Sequence, residues 1–398
     1  MKQDFDRLQR FGDLPSTAAV KEGGSVLYLD GTYYCYFLAR PAPAMPQKIV
    51  RAVSADRIFW HDATVVDLRT SGSVTACTTL LRGGKIALLY AVRTPFGTRL
   101  HLAKSSDGLH FDPHPEPVLS AHFDLKEPRL FYAEKRYFLL GAIRRPFRSE
   151  IVLLESRNLM KWESVGTIRE SRGRKPARFS HPSAFTCNAQ SVLLYRKDVR
   201  SDEALAERGD FDLTRADFSA ANASVLYGIR APRTSTVAGG ETLLTTPTDI
   251  GNGMVVSALT APNDALTLTY PSCLERRRAH DGKTISLSPG TEATLHTDRP
   301  TELSLSIDCP SGSVVTLEAQ EFRFDFDRDA AAVIVTYGKT ERRFPLSSGV
   351  SRVDALILPA SAAFYFDGKA LFSTARPPRA LTLGGTGSIR ADLYTLEE

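Results

Sequence analysis

The chain has 398 residues, 42% of them hydrophobic and 24% charged, with a formal net charge of +5. That length exceeds what one simple core organises, so two or three domains are expected, in an ordinary globular composition. The basic runs RRRAH and SRGRKPAR are separated and lack interleaved aromatics, which argues against a nucleic-acid partner. No apolar run approaches the ~20 residues that a membrane span needs.

At the N-terminus, MKQDFDRLQRF lacks the apolar core of a secretory signal. Five cysteines, Cys35, Cys77, Cys187, Cys273 and Cys309, stand singly with no CxxC pair. Both features suit a reducing cytoplasm, and the spacings predict neither a disulfide framework nor a metal site. No cofactor is implied.

Five segments then read as two apolar strands around a tight turn: VLYLDGTYYCYF, CTTLLRGGKIALLY, RLFYAEKRYFLLG, SAFTCNAQSVLLY and TSTVAGGETLLTT. Their turns, at Asp30-Gly31, Gly83-Gly84, Glu134-Lys135, Asn188-Ala189 and Gly239-Gly240, begin 53, 51, 54 and 51 residues apart. The DG and GG pairs are good hairpin signals because both positions need φ > 0; EK and NA are weaker. A second marker lies between the hairpins. SADRIFW (54–60), SSDGLHF (105–111) and SRNLMKW (156–162) recur every 51 residues, each with an aromatic six residues after a serine.

Two markers in phase, with short strands and no convincing helix, predict an all-β chain whose residues 1–275 form a five-bladed β-propeller. A pair of unrelated β-sandwiches with even strand spacing is the alternative. Composition breaks at CLERRRAHDGKT (273–284). Beyond it, the alternating strands TELSLSID, AAVIVTYG and SAAFYFDG predict an antiparallel β-sandwich over 284–398.

In a propeller the first strand of each blade lines the axis. Counting back eight residues from each turn gives Glu22, Thr75, Lys126, Ser180 and Ala231, and one residue of slack adds Glu127 and Arg230. Two carboxylates converging on one pocket is the layout of glycoside hydrolysis; the alternative is that they pair with Lys21 and Lys126 at strand ends. Lys21, Lys126, Arg178 and Arg230 all fall near these strand starts. They would either favour an anionic sugar or simply neutralise the acids.

In order and spacing these segments resemble glycoside hydrolase family 32, the invertases, fructosidases and sucrose-6-phosphate hydrolases, over nearly the whole chain. AVSADRIFW is similar to the family's HAVSxDLxxW, TSGSV to its SGS motif, and HFDLKEPRLFYAEKRYFLLGA to HFRDPxVFxxxGxWxMxxGA. LLESRNLMKWESVGTI resembles LYxSxDLxxWxxxGxI, and LILPASAAFYFDGKALFSTARP resembles the closing sandwich strands. The resemblance implies a propeller joined to a sandwich, a small carbohydrate ligand and a glycosidase activity. On its WMNDPNG motif the chain reads Ala19-Val20-Lys21-Glu22-Gly23-Gly24-Ser25, so the nucleophilic aspartate becomes Glu22. Its RDP becomes Lys126-Glu127-Pro128, making Glu127 the transition-state stabiliser.

The acid/base glutamate becomes Ser180, in FSHPSAF, with His181 where a cysteine would stand. An added methylene shifts a carboxylate by about an ångström, a misplacement that can cost ~10²-fold in rate, and losing the proton donor costs ~10²–10⁴ more. His181 is the candidate replacement, having a tunable pKa, although strand alternation turns it away from the axis if Ser180 faces it. Ser71 and Ser73 either hydrogen-bond ligand hydroxyls or form a plain turn. The functions expected are a glycosidase acting on a fructoside or related sugar, a non-hydrolytic sugar-binding or regulatory protein on the same scaffold, or a propeller used for protein contact.

Overall fold

The computed structural model describes residues 19–396 apart from 21, 41–45, 69–72, 96, 122–124, 199–202, 238–240, 249–253, 262–265, 270–277, 279–281, 346–350, 359–360, 369 and 375. The described residues are strand, turn and loop, with no helix, and so none is part of a helix able to cross a membrane. The chain divides into two compact units, Met1–Pro247 with Asn252–Thr267, and Thr248–Gly251 with Leu268–Glu398.

Five antiparallel meanders make up the described part of the first unit. The first strands of their hairpins are Ser25–Leu29, preceded in its sheet by Ala19–Val20, and Val74–Arg82, Leu125–Ala133, Ser180–Cys187 and Arg233–Thr236, and each pairs with the strand that follows it. Each of these five touches the first strand of the sheet before and after it, and the fifth touches the first, so they close a ring. Alternation along the strands sends apolar side chains between neighbouring sheets. One cluster, for instance, joins Leu89 and Leu102 of the second sheet to Leu139 and Leu154 of the third.

The hairpins share one geometry. Leu29 pairs with Thr32, Arg82 with Lys85, Ala133 with Arg136 and Cys187 with Gln190, leaving two-residue turns. Both turn residues are left-handed in all four, including Glu134 (48°), Lys135 (61°), Asn188 (48°) and Ala189 (61°). The weak EK and NA signals therefore hide the same primed turn as DG and GG, the turn whose twist matches that of the strands. Gly239-Gly240 lies outside the described residues.

The 51-residue marker is a capped loop. Ser54 Oγ accepts the amides of Asp56 and Arg57, and Asp56 Oδ1 accepts those of Ile58 and Phe59. Ser105 with Asp107, and Ser156 with Asn158, repeat this four-amide pattern. Arg57, Gly108 and Leu159 take the same left-handed φ near 70° at the same place. Short side-chain oxygens that satisfy local backbone donors explain the sequence pattern, and Trp60 and Phe111 then bury beneath the loop.

The second unit has two antiparallel six-stranded paths. One runs Lys283–Leu287, Ser388–Thr395, Thr301–Asp308, Ser351–Leu358, Ser361–Phe366, Ala370–Thr374. The other runs Ala293–His296, Ala380–Gly385, Val314–Glu318, Phe322–Asp327, Ala332–Tyr337, Thr340–Pro345. Phe322, Phe324 and Phe326 alternate on one strand and pack against Phe364, Phe366 and Phe372 of the facing sheet. This face-to-face arrangement is what period-two patterning produces.

Candidate active site

Glu22 lies on the short loop between Ala19–Val20 and Ser25–Leu29, two strands of the first sheet, and Gly23 sets how deep that loop goes. The Gly23 amide donates to the Ala231 carbonyl at 2.8 Å, and a Cβ there would fall 2.1 Å from the Thr245 carbonyl oxygen. Only glycine lets the loop press so closely on the fifth sheet. Glu22 is left 4% exposed, a depth at which a carboxylate needs a partner.

Arg233, 2% exposed, supplies one. One guanidinium nitrogen donates to Glu22 Oε2 at 2.9 Å, and the other donates to the Pro128 carbonyl of the third sheet. A single arginine thereby ties three sheets together. Burial raises the Glu22 carboxyl above its usual range; Arg233 pulls it back, and the charge of Glu127 pushes it up again. Glu22 Oε1 is buried and has no hydrogen-bond partner among the described residues. Cys77, beside Glu22, is no competing nucleophile, because burial pushes its thiol up to about 12.

Glu127 reaches this neighbourhood through a β-bulge. The register of the third sheet's first hairpin slips between Lys126 and Arg129, and Glu127 sits in the slip with φ of 47°. Bulges re-aim side chains, here at the cost of a left-handed non-glycine residue. Both carboxylate oxygens accept from one Arg144 nitrogen at 3.2 Å, while Arg144 Nε donates to the Phe179 carbonyl at 2.8 Å.

The fourth sheet repeats the device. Its register slips between Ser180 and Ser183, with His181 at φ of 51°. The slip interrupts the simple alternation that would turn His181 away from the axis. The His181 amide points at Glu127 Oε2, at 3.5 Å. Burial lowers the imidazole to about 4; Glu127 opposes this, and Arg233, Arg196 and Arg144 add to it. At neutral pH the ring is uncharged, with a buried Nδ1 that has no partner among the described residues.

Glu22, Glu127 and His181 are thus coupled electrostatically, Glu22 buried and the other two partly buried. Ser180 is fully buried beside them, its hydroxyl without a described partner. Lys126 is half-buried on the bulged strand. Ser73 accepts the Gln47 amide at 3.4 Å, which ties it to the loop before Lys48–Ser54. The Arg230 backbone is held at both ends by Thr246 Oγ1, and Arg178 is exposed. Lys21 and Ser71 lie outside the described residues.

Sequence reasoning missed Arg233 and Arg144, the two ion-pair partners of the acids. The signal for Arg233 was there: an arginine within RTST, a strand otherwise of small hydroxyl residues, has to be buried and so has to be paired. Chemically, the arrangement offers one carboxylate with a tethered and an untethered oxygen, a second carboxylate held by an arginine, and a neutral imidazole.

No family model and no curated protein sequence matches the chain. Solved structures do. A family 32 β-fructofuranosidase of Bombyx mori superposes with a TM-score of 0.80 at 16% identity, covering 99% of this chain and 94% of that one. Sucrose-6-phosphate hydrolase from Lactobacillus gasseri gives 0.79 at 15%, covering 99% and 93%. Fructan 1-exohydrolase IIa from Cichorium intybus gives 0.74 at 13%, covering 100% and 98%. The chain has the family 32 fold.

Proposed function

We propose that this chain, built on the fold of the family 32 glycoside hydrolases, is a glycosidase acting on a fructoside or a related sugar, with Glu22 as nucleophile and Glu127 as stabiliser of the transition state. In this reading the five sheets of the first unit are the blades of one propeller, over about residues 1–275, and residues 284–398 form a sandwich. A variant of the Bombyx mori enzyme holds sucrose, which supports a small carbohydrate ligand here. The observation that carries the reading is the electrostatic coupling of two acids, buried Glu22 on a loop of the first sheet and partly buried Glu127 on a bulge of the third.

Arg233 fixes Glu22 Oε2 and leaves Oε1 for attack on the anomeric carbon. As that bond forms, the bond to the leaving oxygen breaks and the leaving oxygen takes up a proton; water then hydrolyses the glycosyl ester. Glu127, held by Arg144, offers negative charge to the oxocarbenium-like transition state. His181 is the nearby proton source, and with its pKa near 4 only ~10⁻³ of it is protonated at pH 7. Hydrolysis is therefore expected to quicken as pH falls from 7, and to fade where Glu22, whose carboxyl burial raises above its usual range, takes up a proton.

The test measures sugar release from sucrose, other fructosides and phosphorylated sugars between pH 4 and 7. Wild type is expected to turn over one of them, with Glu22→Gln at least ~10³-fold slower. A second reading, a sugar-binding protein without turnover, is favoured by the arginine on each carboxylate and by the serine at the proton donor's place. Saturable stabilisation by a sugar, with both proteins inert across the panel, would establish that reading and sink the first.

A further inference from the structure

At the far end of the same five first strands lies a cavity of about 470 Å³, within the size range of small-molecule sites. All five strands contribute to its wall, among them Thr79, Arg129, Phe131, Phe185, Thr234 and Ser235. Glu22, Glu127, His181 and Arg233 do not line it.

Arg129 is 8% exposed. Its guanidinium donates to Ser25 Oγ at 3.0 Å and to Ser235 Oγ at 3.5 Å, and no carboxylate among the described residues pairs with it. Burial draws it down to about 9, with Arg233 repelling it. Arg233, at the same depth, has an acid partner; Arg129 has two hydroxyls. A buried cation without counter-charge is costly to keep, and this one faces an open chamber.

Thr79 and Thr234, 3% and 1% exposed, belong to the chamber wall, and their buried hydroxyls have no described partner. Ser235 Oγ already accepts from the Val26 amide and from Arg129, so its proton remains to be donated. The chamber therefore presents one positive charge and several hydroxyl donors among apolar and aromatic walls. Glu134, the one carboxylate among its lining residues, does not pair with Arg129, and the missing partner is an anion.

We propose that this chamber binds a small organic carboxylate, its charged end on Arg129 and the Thr79 and Thr234 hydroxyls and its apolar body against Phe131 and Phe185. One cation suits a monoanion, and Glu134 in the same lining disfavours a dianion such as phosphate.

Calorimetric titration at fixed ionic strength tests this with acetate, butyrate and benzoate, with benzamide as the neutral isostere and with inorganic phosphate. At least one carboxylate is expected to bind wild type saturably at one site, and benzamide and phosphate at least ~10-fold more weakly. Arg129→Met, which keeps the stem and removes the unpaired charge, should lose at least ~10-fold in affinity. Thr79→Val, nearly the same shape, should lose several-fold. Glu22→Gln should leave binding unchanged, and this holds whether or not the protein hydrolyses sugars. The proposal is overturned if no carboxylate binds wild type, if benzamide or phosphate binds as well, if Arg129→Met binds as wild type does, or if Glu22→Gln abolishes binding.

Discussion

Glu22 and His181 are buried to similar effect but were not equally legible. The repeat phase pointed to Glu22 directly, because its distance from the Asp30-Gly31 turn matched that of Lys126 from Glu134-Lys135. What the acid would pair with was hidden, since Arg233 lies 211 positions away and only the closed ring brings it close. His181 was legible as a candidate but not in its orientation, which depends on a left-handed residue that no propensity announces. Its pKa, near 4 in the fold against about 6.5 in an unfolded chain, makes a signed prediction. Between those values the unfolded state binds more protons, so stability is lost as pH falls from about 6.5 to 4, by on the order of 3 kcal/mol from this residue. The groups around it, Glu127, Arg144, Arg196 and Arg233, stay in place in His181→Asn, and asparagine tolerates the left-handed backbone. Urea midpoints measured from pH 4.5 to 7 should fall less steeply towards acid in His181→Asn than in wild type; parallel profiles would show that the ring is not held neutral.

Elements were read most reliably where one residue type does one job. The serine with an aromatic six residues on was visible as a 51-residue marker; that the serine and the Asp or Asn two residues on satisfy four amides each time emerged from the structure. The hairpins were visible from their apolar flanks even where the turn residues were poor. The bulges at Lys126/Arg129 and Ser180/Ser183 were not visible, since an extra residue in a strand leaves no compositional trace and period-two counting runs straight past it. The turns give a test. Lys135, left-handed at 61°, occupies the place that glycine holds at Gly84. Lys135→Gly should stabilise the protein by about 0.5–1 kcal/mol, and Gly84→Ala should destabilise it by a similar amount. Calorimetric melting of both variants checks this, and a loss of stability in Lys135→Gly would contradict the turn assignment.

At the scale of the whole molecule, the period of 51–54 residues and the later alternating strands carried the all-β architecture. The solved structures agree across nearly the full length at 11–16% identity. A fold is encoded redundantly by many apolar positions, so it survives such divergence; a site rests on three or four side chains and does not. Here Glu22 and Glu127 each meet an arginine, and a cavity lined by all five first strands holds Arg129, which has no carboxylate partner among the described residues. The most direct check on the chemistry is mass analysis of peptides from protein quenched in acid during turnover of a fructoside. A hexosyl adduct on the peptide carrying Glu22, missing in Glu22→Gln, is the expected result; turnover with Glu22 unmodified, or turnover that survives Glu22→Gln, would contradict it.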